Sequence, residues 1–436
     1  MAKKKQEMTP EERLAAALVP GEEQPYQLPE GWKWVYLGKI TTIVGGGTPS
    51  SSHPEYYDGG EVPWITPADL SNYHEVYISR GKKNITEQGL AKSSTKLMPP
   101  NTVLLSSRAP IGYVAIAEND ICTNQGFKSF LPSVHFEPRY LYWFFKGNQT
   151  LLTQYASGTT FLELSARRAG EIKFPIAPIS EQQRLVARIE SLFAKLDAAK
   201  EKVQSVLDDH ETRKAALLHD AFAGKLTAKW RKEYEIDAPA YRSVVLAEVC
   251  DSIFDGDHMP PPKSSSGIPF LVISNVNTGK LNFSDTRFVP QDYYDALTDT
   301  RKPQNGDVLY TLVGTYGIPV LVDTDRAFCF QRHMALLKLK KDVILQRYLW
   351  YALQEKNFYR KATKIAKGTA QLTVPIKGLR QLTIPMASLL EQQEIVRILD
   401  RLLGREELVR QSAESVLETI DRMKQSILAR AFRGEL

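Results

Sequence analysis

The apolar positions of residues 181–226 follow a helical period. They recur at alternating steps of four and three residues, the spacing typical of the seam of a left-handed coiled coil. The seam positions are Leu185, Ile189, Leu192, Leu196, Ala199, Val203 and Val206. Because this stripe is narrow and polar side chains cover the other faces, the pattern predicts a helix that pairs with one partner. A helix of ~40 residues would be ~60 Å long.

The same pattern returns 210 positions later, in residues 391–436. The two segments align without a gap, and 14 of their 46 positions are identical. The second seam comprises Ile395, Leu399, Leu402, Val409, Ala413, Val416, Ile420, Met423 and Ile427, with Glu406 as a polar interruption. Since both helices occur in one chain, each is the nearest partner of the other, and an intramolecular antiparallel coiled coil is predicted. A coiled coil between two chains is the alternative.

The segments ahead of the helices predict sheet-rich domains. Short apolar runs, rich in β-branched and aromatic residues, are bounded by glycine, proline and asparagine, which is typical of strands joined by irregular loops. One short helix is expected in each domain, within 138–156 and 346–362. The predicted fold class is therefore α+β, with two sheet-rich domains separated by two long helices. An antiparallel helix pair would give the chain pseudo-twofold symmetry.

The repeat also sets the expected domain boundaries. The predicted order is an N-terminal extension (1–27), a first sheet-rich domain (28–180), the first long helix (181–226), a linker (227–240), a second sheet-rich domain (241–390) and the second long helix (391–436). In the extension, Thr9 is the expected cap of a short helix, with Pro10 at its first position and Glu12 at its third. This helix either docks on a partner or is a frayed extension.

Composition narrows the class of protein. An apolar fraction of 43% with 24% charged residues is ordinary for a globular protein, and no run approaches the ~20 apolar residues of a membrane span. The first residues lack the apolar stretch of a signal peptide, so a cytoplasmic location is expected. A net charge of +6 is compatible with a nucleic-acid partner, and two basic segments, 80–96 and 225–235, are either phosphate contacts or solvated surface.

The chain carries no motif of a known catalytic site. It has no phosphate-binding loop, no nucleophile elbow, no zinc-protease motif and no amino-methyltransferase motif. Three cysteines, Cys122, Cys250 and Cys329, show no metal spacing and are expected to be buried free thiols. The glycine-rich segment 44–52 lacks the lysine and the helix of a phosphate cradle, so it is either a mobile, ligand-approaching loop or a plain turn. We therefore assign no catalytic residue and no metal ligand.

Several short motifs together resemble the specificity subunit of type I restriction-modification systems. They are EGW (30–32), GGTPS (46–50), PISEQQRLV at the start of the first helix, AFAGKLTAKWR across its end and SILARAFRGEL at the end of the second helix. Their order and the doubled architecture carry the resemblance, which covers residues 28–436. It implies two target-recognition domains, each reading one half of a bipartite, asymmetric DNA site, and paired helices that set the spacing and dock the methyltransferase subunits.

The resemblance also implies partners and cofactors. The partners would be double-stranded DNA, modification (methyltransferase) subunits, two of them expected, and restriction (translocase and nuclease) subunits. Methylation of adenine N6 with S-adenosylmethionine, and cleavage driven by ATP and Mg²⁺, would belong to those subunits, so this chain would bind no cofactor and catalyse nothing alone. The alternative function is a coiled-coil scaffold whose β-rich domains bind protein or carbohydrate.

Reading base edges requires polar side chains that can form two hydrogen bonds, supported by phosphate contacts. In the first domain the candidates are Thr48, Ser50, Ser51, Thr66, Asp69, Arg108, Asn124, Gln125, Ser157, Thr159 and Thr160. Their counterparts in the second domain are Asp255, Asp257, His258, Ser274, Asn275, Thr315, Tyr316, Gln331, Arg332, Lys367, Thr369 and Gln371. The alternative for each is turn chemistry or hydrogen bonding at a strand end. Two readers held by a rigid pair predict half-sites near one helical turn of DNA, ~34 Å, apart.

Overall fold

The computed structural model describes residues 8–158, 162–236, 241–256, 261–369 and 371–436. The chain divides into two compact units: unit 1 contains residues up to 202 together with 416–436, and unit 2 contains residues 203–415. The compact units thus differ from the sequence repeats, because each long helix divides its length between them. Among the described residues, no helix combines the length and the apolar character needed to cross a membrane.

The α-helices of the described residues range from single turns to two helices of 44 and 45 residues. The helices are α1 (Pro10–Ala16), α2 (Leu37–Ile40), α3 (Glu87–Ala91), α4 (Pro138–Gly147), α5 (Gln149–Tyr155), α6 (Ala166–Gly170), α7 (Ile179–Phe222), α8 (Ala228–Glu233), α9 (Leu246–Val249), α10 (Gln291–Ala296), α11 (Gln346–Gln354), α12 (Lys356–Ile365), α13 (Ile376–Leu379) and α14 (Leu389–Arg433).

The strands are short, as expected of a sheet-rich domain with many turns. They are β1 (Lys33–Tyr36), β2 (Ile43–Gly45), β3 (Val62–Ile65), β4 (Tyr77–Ile78), β5 (Lys83–Ile85), β6 (Val103–Ser107), β7 (Ile111–Ala117), β8 (Cys122–Thr123), β9 (Phe127–Phe130), β10 (Lys173–Ile176), β11 (Arg242–Val245), β12 (Cys250–Asp255), β13 (Ile268–Leu271), β14 (Arg287–Val289), β15 (Val308–Thr311), β16 (Pro319–Leu321), β17 (Cys329–Phe330), β18 (Met334–Leu339) and β19 (Thr383–Met386).

Unit 1 is built on a five-stranded sheet in the order β2-β9-β6-β7-β4. A three-stranded sheet, β5-β3-β8, and an antiparallel pair, β1-β10, complete it. Alternate residues of the central strands point to opposite faces. Leu105 and Phe130 pack on one face against Phe145 of α4, whereas Leu104 and Phe127 belong to a separate apolar cluster on the other face. The sheet therefore has a covered apolar layer on each side.

Unit 2 repeats this plan with different residues. Its sheets have the orders β12-β18-β15-β16, β14-β13-β17 and β11-β19, and β13 pairs with β17 in parallel as β3 does with β8. A buried tyrosine marks the correspondence: Tyr140 donates to Pro175 O at 3.0 Å, and Tyr348 donates to Pro385 O at 2.9 Å. Both units are α+β, as the sequence predicted.

The expectation of one short helix per domain was wrong, because each segment forms two helices. In unit 1 the break falls at Asn148, which has φ −126° and ψ 35°. In unit 2 it falls at Glu355, whose carboxylate accepts the amide of Asn357 at 2.8 Å and so caps a new helix. Glu355 thus satisfies a free amide at the start of the second helix, whereas the Asn148 side chain makes no such cap and instead donates to Phe144 O at 2.8 Å.

The two long helices run antiparallel within each unit. In unit 1, Lys200 Nζ lies 3.2 Å from Asp421 Oδ1, and Lys424 pairs with Asp197. In unit 2, Arg213 Nε lies 2.8 Å from Glu406 Oε2. Residues with higher numbers in α7 contact residues with lower numbers in α14, so the two helices are antiparallel. The pairing lies within one chain, as predicted.

The predicted seam is partly displaced. Leu185, Ile189, Ile395 and Leu399 are fully buried and Ile420 is 4% exposed, while Leu192, Leu196, Val203 and Leu402 are half-buried. Other predicted seam residues are exposed, so their assignment to the seam was wrong: Val206 (37%), Val409 (44%), Val416 (44%) and Met423 (47%). On α14 the side chains that face the seam are instead those one residue later, the half-buried Arg410 and Leu417. The sequence pattern favoured the more apolar residue, whereas the long methylene stem of an arginine can also cover an interface.

The repeated Glu-Gln-Gln motif joins each long helix to its domain. Gln182 is fully buried, accepts the amide of Glu137 at 2.9 Å and donates to His135 O and Ala177 O at 3.0 and 2.8 Å. Gln392 is also fully buried and makes the same three kinds of contact, with Leu345 N, Val343 O and Ala387 O. One amide side chain thus fixes the start of the helix to the segment that enters α4 or α11.

The N-terminal extension is folded onto unit 1. Thr9 Oγ1 accepts the amide of Glu12 at 3.2 Å, and the Glu12 carboxylate accepts the amide of Thr9 at 2.8 Å, so α1 begins with a capping box. Further on, the Tyr26 hydroxyl donates to Phe432 O at 3.0 Å at the end of α14. This part of the extension is therefore packed and not frayed.

Candidate functional site

In unit 1 the glycine-rich loop lies directly on the loop between β8 and β9. Gly47 N donates to Thr123 O at 2.9 Å, and the Thr48 hydroxyl donates to Gln125. A Cβ atom at Gly46 would lie 1.8 Å from Asn124 O, so only glycine permits this approach. The two loops form one surface, which presents Thr48, Asn124 and Gln125 together.

Strand ends bring further polar residues to this edge. Ser107 N, at the end of β6, donates to Gly126 O at 2.7 Å, and Ser107 O accepts the amide of Leu164 at 2.9 Å. Arg108 follows directly and has no hydrogen bond or ion pair with any described residue. Ser157 forms an antiparallel β-bridge with Glu163, the residue before Leu164. We call this surface, made by Thr48, Thr66, Arg108, Asn124, Gln125 and Ser157, edge 1.

A buried lysine that the sequence did not indicate lies under edge 1, beside the partly exposed Glu163. Lys128 is 8% exposed, donates to Ser107 Oγ at 3.2 Å and lies 3.4 Å from Glu163 Oε1. A buried cation needs such partners, because desolvation of an unpaired charge is costly. Lys128 therefore ties the segment that carries Ser157 to the central sheet. Lys128 lies inside strand β9, and nothing in the sequence around it indicates that its side chain is buried.

Asn124 serves the turn between β8 and β9, since its Oδ1 accepts the amide of Gly126 at 2.9 Å, and two further predicted residues serve the turns that follow β3 and β13. The Asp69 carboxylate accepts Thr66 N and Thr66 Oγ1, both at 2.7 Å, and Lys82 N at 2.9 Å. In unit 2, Asn275 is 6% exposed, accepts the amide of Val272 at 3.0 Å and donates to Ser284 O at 3.3 Å. Both side chains hold the backbone after β3 and β13, which is the strand-end alternative raised by the sequence.

The remaining predicted residues of the first domain lie further out or outside the description. Ser50 and Ser51 are exposed, and Ser50 Oγ lies 2.7 Å from Ser52 Oγ at the tip of the loop. Thr159 and Thr160, and in the second domain Asp257 and His258, lie outside the described residues.

Unit 2 has an equivalent edge built from other side chains. A Cβ atom at Gly256 would lie 2.3 Å from Phe330 O, and Gln331 N donates to Leu271 O at 3.0 Å, so Gln331 and Arg332 take the places of Asn124 and Gln125. A concave site of about 500 Å³ is lined by Asp255, Arg332, His333, Gln371 and Thr373, among others. Three predicted residues, Asp255, Arg332 and Gln371, thus meet in one concavity. We call it edge 2.

Other predicted residues surround edge 2. Tyr316 stacks on Tyr359 of α12 with ring centroids 5.5 Å apart and an interplanar angle of 6°. Thr315 and Ser274 are exposed, and the exposed Lys367 and Thr369 belong to the segment that bridges back at Thr373. Burial, and secondly the charge of Arg332, lower the pKa of His333 in this site.

The basic character of the two edges comes from different places. In unit 1 a Cβ atom at Gly47 would lie 2.5 Å from Thr95 N, so the basic segment 80–96 borders the glycine-rich loop. In unit 2 the cations lie on α12, which carries Lys356, Arg360, Lys361 and Lys364 and no carboxylate. None of the residues predicted from the sequence lies on α12, although its cations at i, i+4 and i+8 are a usable sequence signal.

The thiols are unsuited to nucleophilic or metal chemistry. Cys122, Cys250 and Cys329 are all buried, and burial raises the pKa of each to about 12. A thiol is nucleophilic only as the thiolate, which these three do not reach near neutral pH. Within the part of the chain that the structure describes, no cluster of three or more histidine, cysteine, aspartate or glutamate residues is arranged to hold a metal. The chemistry of the edges is that of polar and cationic binding surfaces.

Two relatives of this chain are named as specificity subunits of type I restriction enzymes. A specificity subunit of the type I restriction enzyme MjaIX from Methanocaldococcus jannaschii is 41% identical over 184 residues, which cover 42% of this chain and 42% of that protein. That of the enzyme EcoKI from Escherichia coli K12 is 23% identical over 440 residues, which cover 94% of this chain and 90% of that one.

Solved structures share the fold along nearly the whole chain. A chain from a study of the assembly and conformational transition of a type I restriction-modification system aligns with a TM-score of 0.74 at 22% identity, over 94% of this chain and all of that one. The HsdS subunit from Thermoanaerobacter tengcongensis aligns with a TM-score of 0.62, also at 22% identity, over 95% of this chain. The family model of the type I restriction modification DNA specificity domain matches twice, at residues 29–207 and 243–418. With that model covering more than half of its length, and one copy in each sheet-rich segment, the chain belongs to the type I restriction-modification DNA specificity family.

Proposed function

We propose that this chain is the sequence-reading subunit of a type I restriction-modification complex, in which edge 1 and edge 2 each read one half of a bipartite, asymmetric DNA site. The main observation in support is that both units have a polar edge at equivalent positions, but with different side chains. Asn124 and Gln125 correspond to Gln331 and Arg332 in the same loop geometry. A shared scaffold with exchanged polar groups supports two readers with two base preferences.

The side-chain types support contacts with base edges in the major groove. Asparagine and glutamine pair with adenine through two hydrogen bonds, and arginine pairs in the same way with guanine. Arg332 is exposed at the rim of edge 2, and Arg108 has no described partner at edge 1. Both guanidinium groups are therefore available to a ligand.

The paired helices would fix the distance between the two readers. Each unit fastens its domain to a long helix through a fully buried glutamine, Gln182 or Gln392. A rigid connection of this kind is required of a spacer, because a mobile joint would admit half-sites at many distances. The half-sites would then lie near one helical turn of DNA, ~34 Å, apart.

In this proposal the chain contributes recognition and assembly, and the chemistry belongs to its partners. Two methyltransferase subunits would dock on the helices and carry S-adenosylmethionine, and restriction subunits would carry ATP and Mg²⁺. The structural relative from a study of complex assembly supports a multi-subunit setting. The chain alone would have no catalytic activity.

Sequencing of methylated adenines in DNA from cells that express the complete complex tests the proposal. We expect one motif of two short defined blocks separated by a constant undefined gap. Binding of the complex to duplexes should also weaken steeply between about 50 and 200 mM salt, because neutralised phosphates release counterions. A flat salt response with no bipartite motif would instead favour a scaffold that binds protein or carbohydrate.

A further inference from the structure

We propose that the exposed face of α12 is a phosphate-binding surface that grips the DNA backbone beside the second half-site. This inference rests on the proposed function and deepens it, by assigning backbone contacts to one helix of unit 2. The occupant is the sugar-phosphate backbone of duplex DNA, identified by its continuous negative charge.

The cations of α12 form one stripe. Lys356, Arg360 and Lys364 are spaced by four residues, so they lie above one another on the helix surface, and all three are exposed. The buried residues Phe358 and Ala362 occupy the opposite face. The helix is therefore fixed by its apolar face and presents positive charge to solvent.

This stripe differs from an ordinary solvated helix face. On the long helices, arginines pair with glutamates three residues away, as in Arg184 with Glu181 and Arg397 with Glu394. On α12, like charges repeat at i, i+4 and i+8 without a carboxylate, an arrangement that destabilises an isolated helix. A sequence that keeps this repulsion fits a surface whose charges are neutralised by a ligand.

A groove of about 780 Å³ runs beside the stripe. Arg360, Lys361 and Lys364 line it, together with His219 and Glu355. The Glu355 carboxylate is buried, accepts the amide of Asn357 and lies 3.7 Å from His219 Nδ1, so its charge is directed inward. The open side of the groove is consequently bordered by the cations.

The stripe is rigidly connected to edge 2. The Tyr316 hydroxyl donates to Thr363 Oγ1 at 3.1 Å, and its ring stacks on Tyr359. Lys367, just after α12, bridges to Thr373, which lines edge 2. A backbone clamp held this way would set the register of the base-reading side chains, which is the role of phosphate contacts in protein–DNA interfaces.

In the described residues of unit 1, the helix at the equivalent place, α5, has no such stripe. Its sequence, QTLLTQY, contains no lysine or arginine. The backbone contacts of the two half-sites would therefore be unequal, and those of α12 belong to the second half-site alone.

The test measures binding of the assembled methyltransferase complex to a random-sequence duplex between 50 and 200 mM salt. A triple variant, Lys356→Gln with Arg360→Gln and Lys364→Gln, should make the negative slope of log affinity against log salt shallower by about 2.7, since each phosphate contact contributes about −0.9. Over this fourfold rise in salt, its affinity should then fall about 40-fold less than that of the wild type. The methylated motif should be unchanged, and a second variant with Lys356→Arg and Lys364→Arg should keep the wild-type slope.

A charge-matched control replaces Lys33, Lys39 and Lys341 with glutamine, three exposed lysines that belong to neither edge and to neither basic segment. We expect the control to keep the wild-type slope. A control that loses as much slope as the α12 variant would assign the effect to net charge and overturn the inference. An unchanged slope in the α12 variant, with a steep wild type, would overturn it while leaving the proposed function standing. A flat wild type would overturn both.

Discussion

At the scale of single residues, similar polar side chains at strand ends have different fates. Asp69 and Asn275 have their side-chain groups occupied by the turns after β3 and β13. Arg332 stands exposed at the rim of edge 2, and Arg108 has no described partner. The sequence proposed all of these positions equally, because a polar residue that follows a strand has the same signature whether it faces the turn or a ligand.

Replacement of Arg332 by alanine should relax the second half-site only. A lost pair of hydrogen bonds to one base costs about 1–3 kcal/mol of discrimination, so one defined base of that block should become tolerant of substitution. Methylation sequencing of cells expressing the variant complex measures this directly. Arg287→Ala, an exposed arginine on β14, is the matched control and should leave the motif intact. Relaxation of the first block would contradict the assignment.

At the scale of elements, the starts of the long helices are fixed by buried amides. Gln182 and Gln392 each bind backbone groups from the segment ahead of α4 or α11 and from the helix entry. The sequence identified the repeated motif but gave no reason for it. Only the fold shows that the middle residue is fully buried in both copies, whereas the last residues, Gln183 and Gln393, are exposed.

Gln182→Leu should destabilise unit 1 strongly. Leucine fills the space but leaves the amide of Glu137 and two carbonyls without partners, and each orphaned group costs about 1–3 kcal/mol. We expect the free energy of unfolding, measured with urea, to fall by at least about 2 kcal/mol. The neighbouring exposed Gln183→Leu should change it by less than about 0.5 kcal/mol. Equal effects of the two substitutions would contradict the role of Gln182 in fixing the start of α7 to its domain.

An ion pair on α14 predicts a pH dependence. The Arg410 guanidinium, which donates to Glu407, lowers the pKa of that carboxyl to about 2 from an ordinary value of 4.5. Because the folded pKa is depressed, the stabilisation is present above the unfolded pKa and is lost as pH falls from about 4.5 to 2. Because both side chains are partly exposed, solvent screens the pair and its contribution to stability is small.

The measurement compares the melting temperature of Glu407→Gln with that of the wild type. The variant should melt at most about 2 °C lower at pH 7, and the difference should shrink as pH falls toward 2. Glu418→Gln, further along α14, is the control and should match the wild type throughout. A difference that grows on acidification would contradict the ion-pair assignment.

At the scale of the whole molecule, the proposed function requires the helix pair to act as a spacer. The division between the two compact units falls between residues 202 and 203 of α7 and between residues 415 and 416 of α14. Insertions at both places would lengthen the pair and keep the seam, provided that they are whole heptads.

Insertion of seven residues in both helices lengthens the pair by about 10 Å, or three base pairs, and should change the gap while both blocks remain readable. Because three base pairs also rotate the duplex, 21 residues are the sharper variant: they add about 32 Å, nearly one turn of DNA, so each domain faces the same groove again. We expect the gap in the methylated motif to grow by about nine or ten base pairs with both blocks intact. Changed blocks at a constant gap would contradict the spacer role.

The sequence by itself determined the doubled plan of this protein. Periodicity, which is a local property, predicted two long helices, and the repeat predicted that they pair within one chain and belong to two α+β domains. Only the tertiary structure decided which residues are buried and which are available. Val409 is exposed while Arg410 is half-buried, and Lys128 is buried beneath edge 1 by Ser107 and Glu163, whose positions along the chain gave no sign of it. Burial and hydrogen bonding depend on partners brought from distant parts of the chain, and a local pattern carries no record of them.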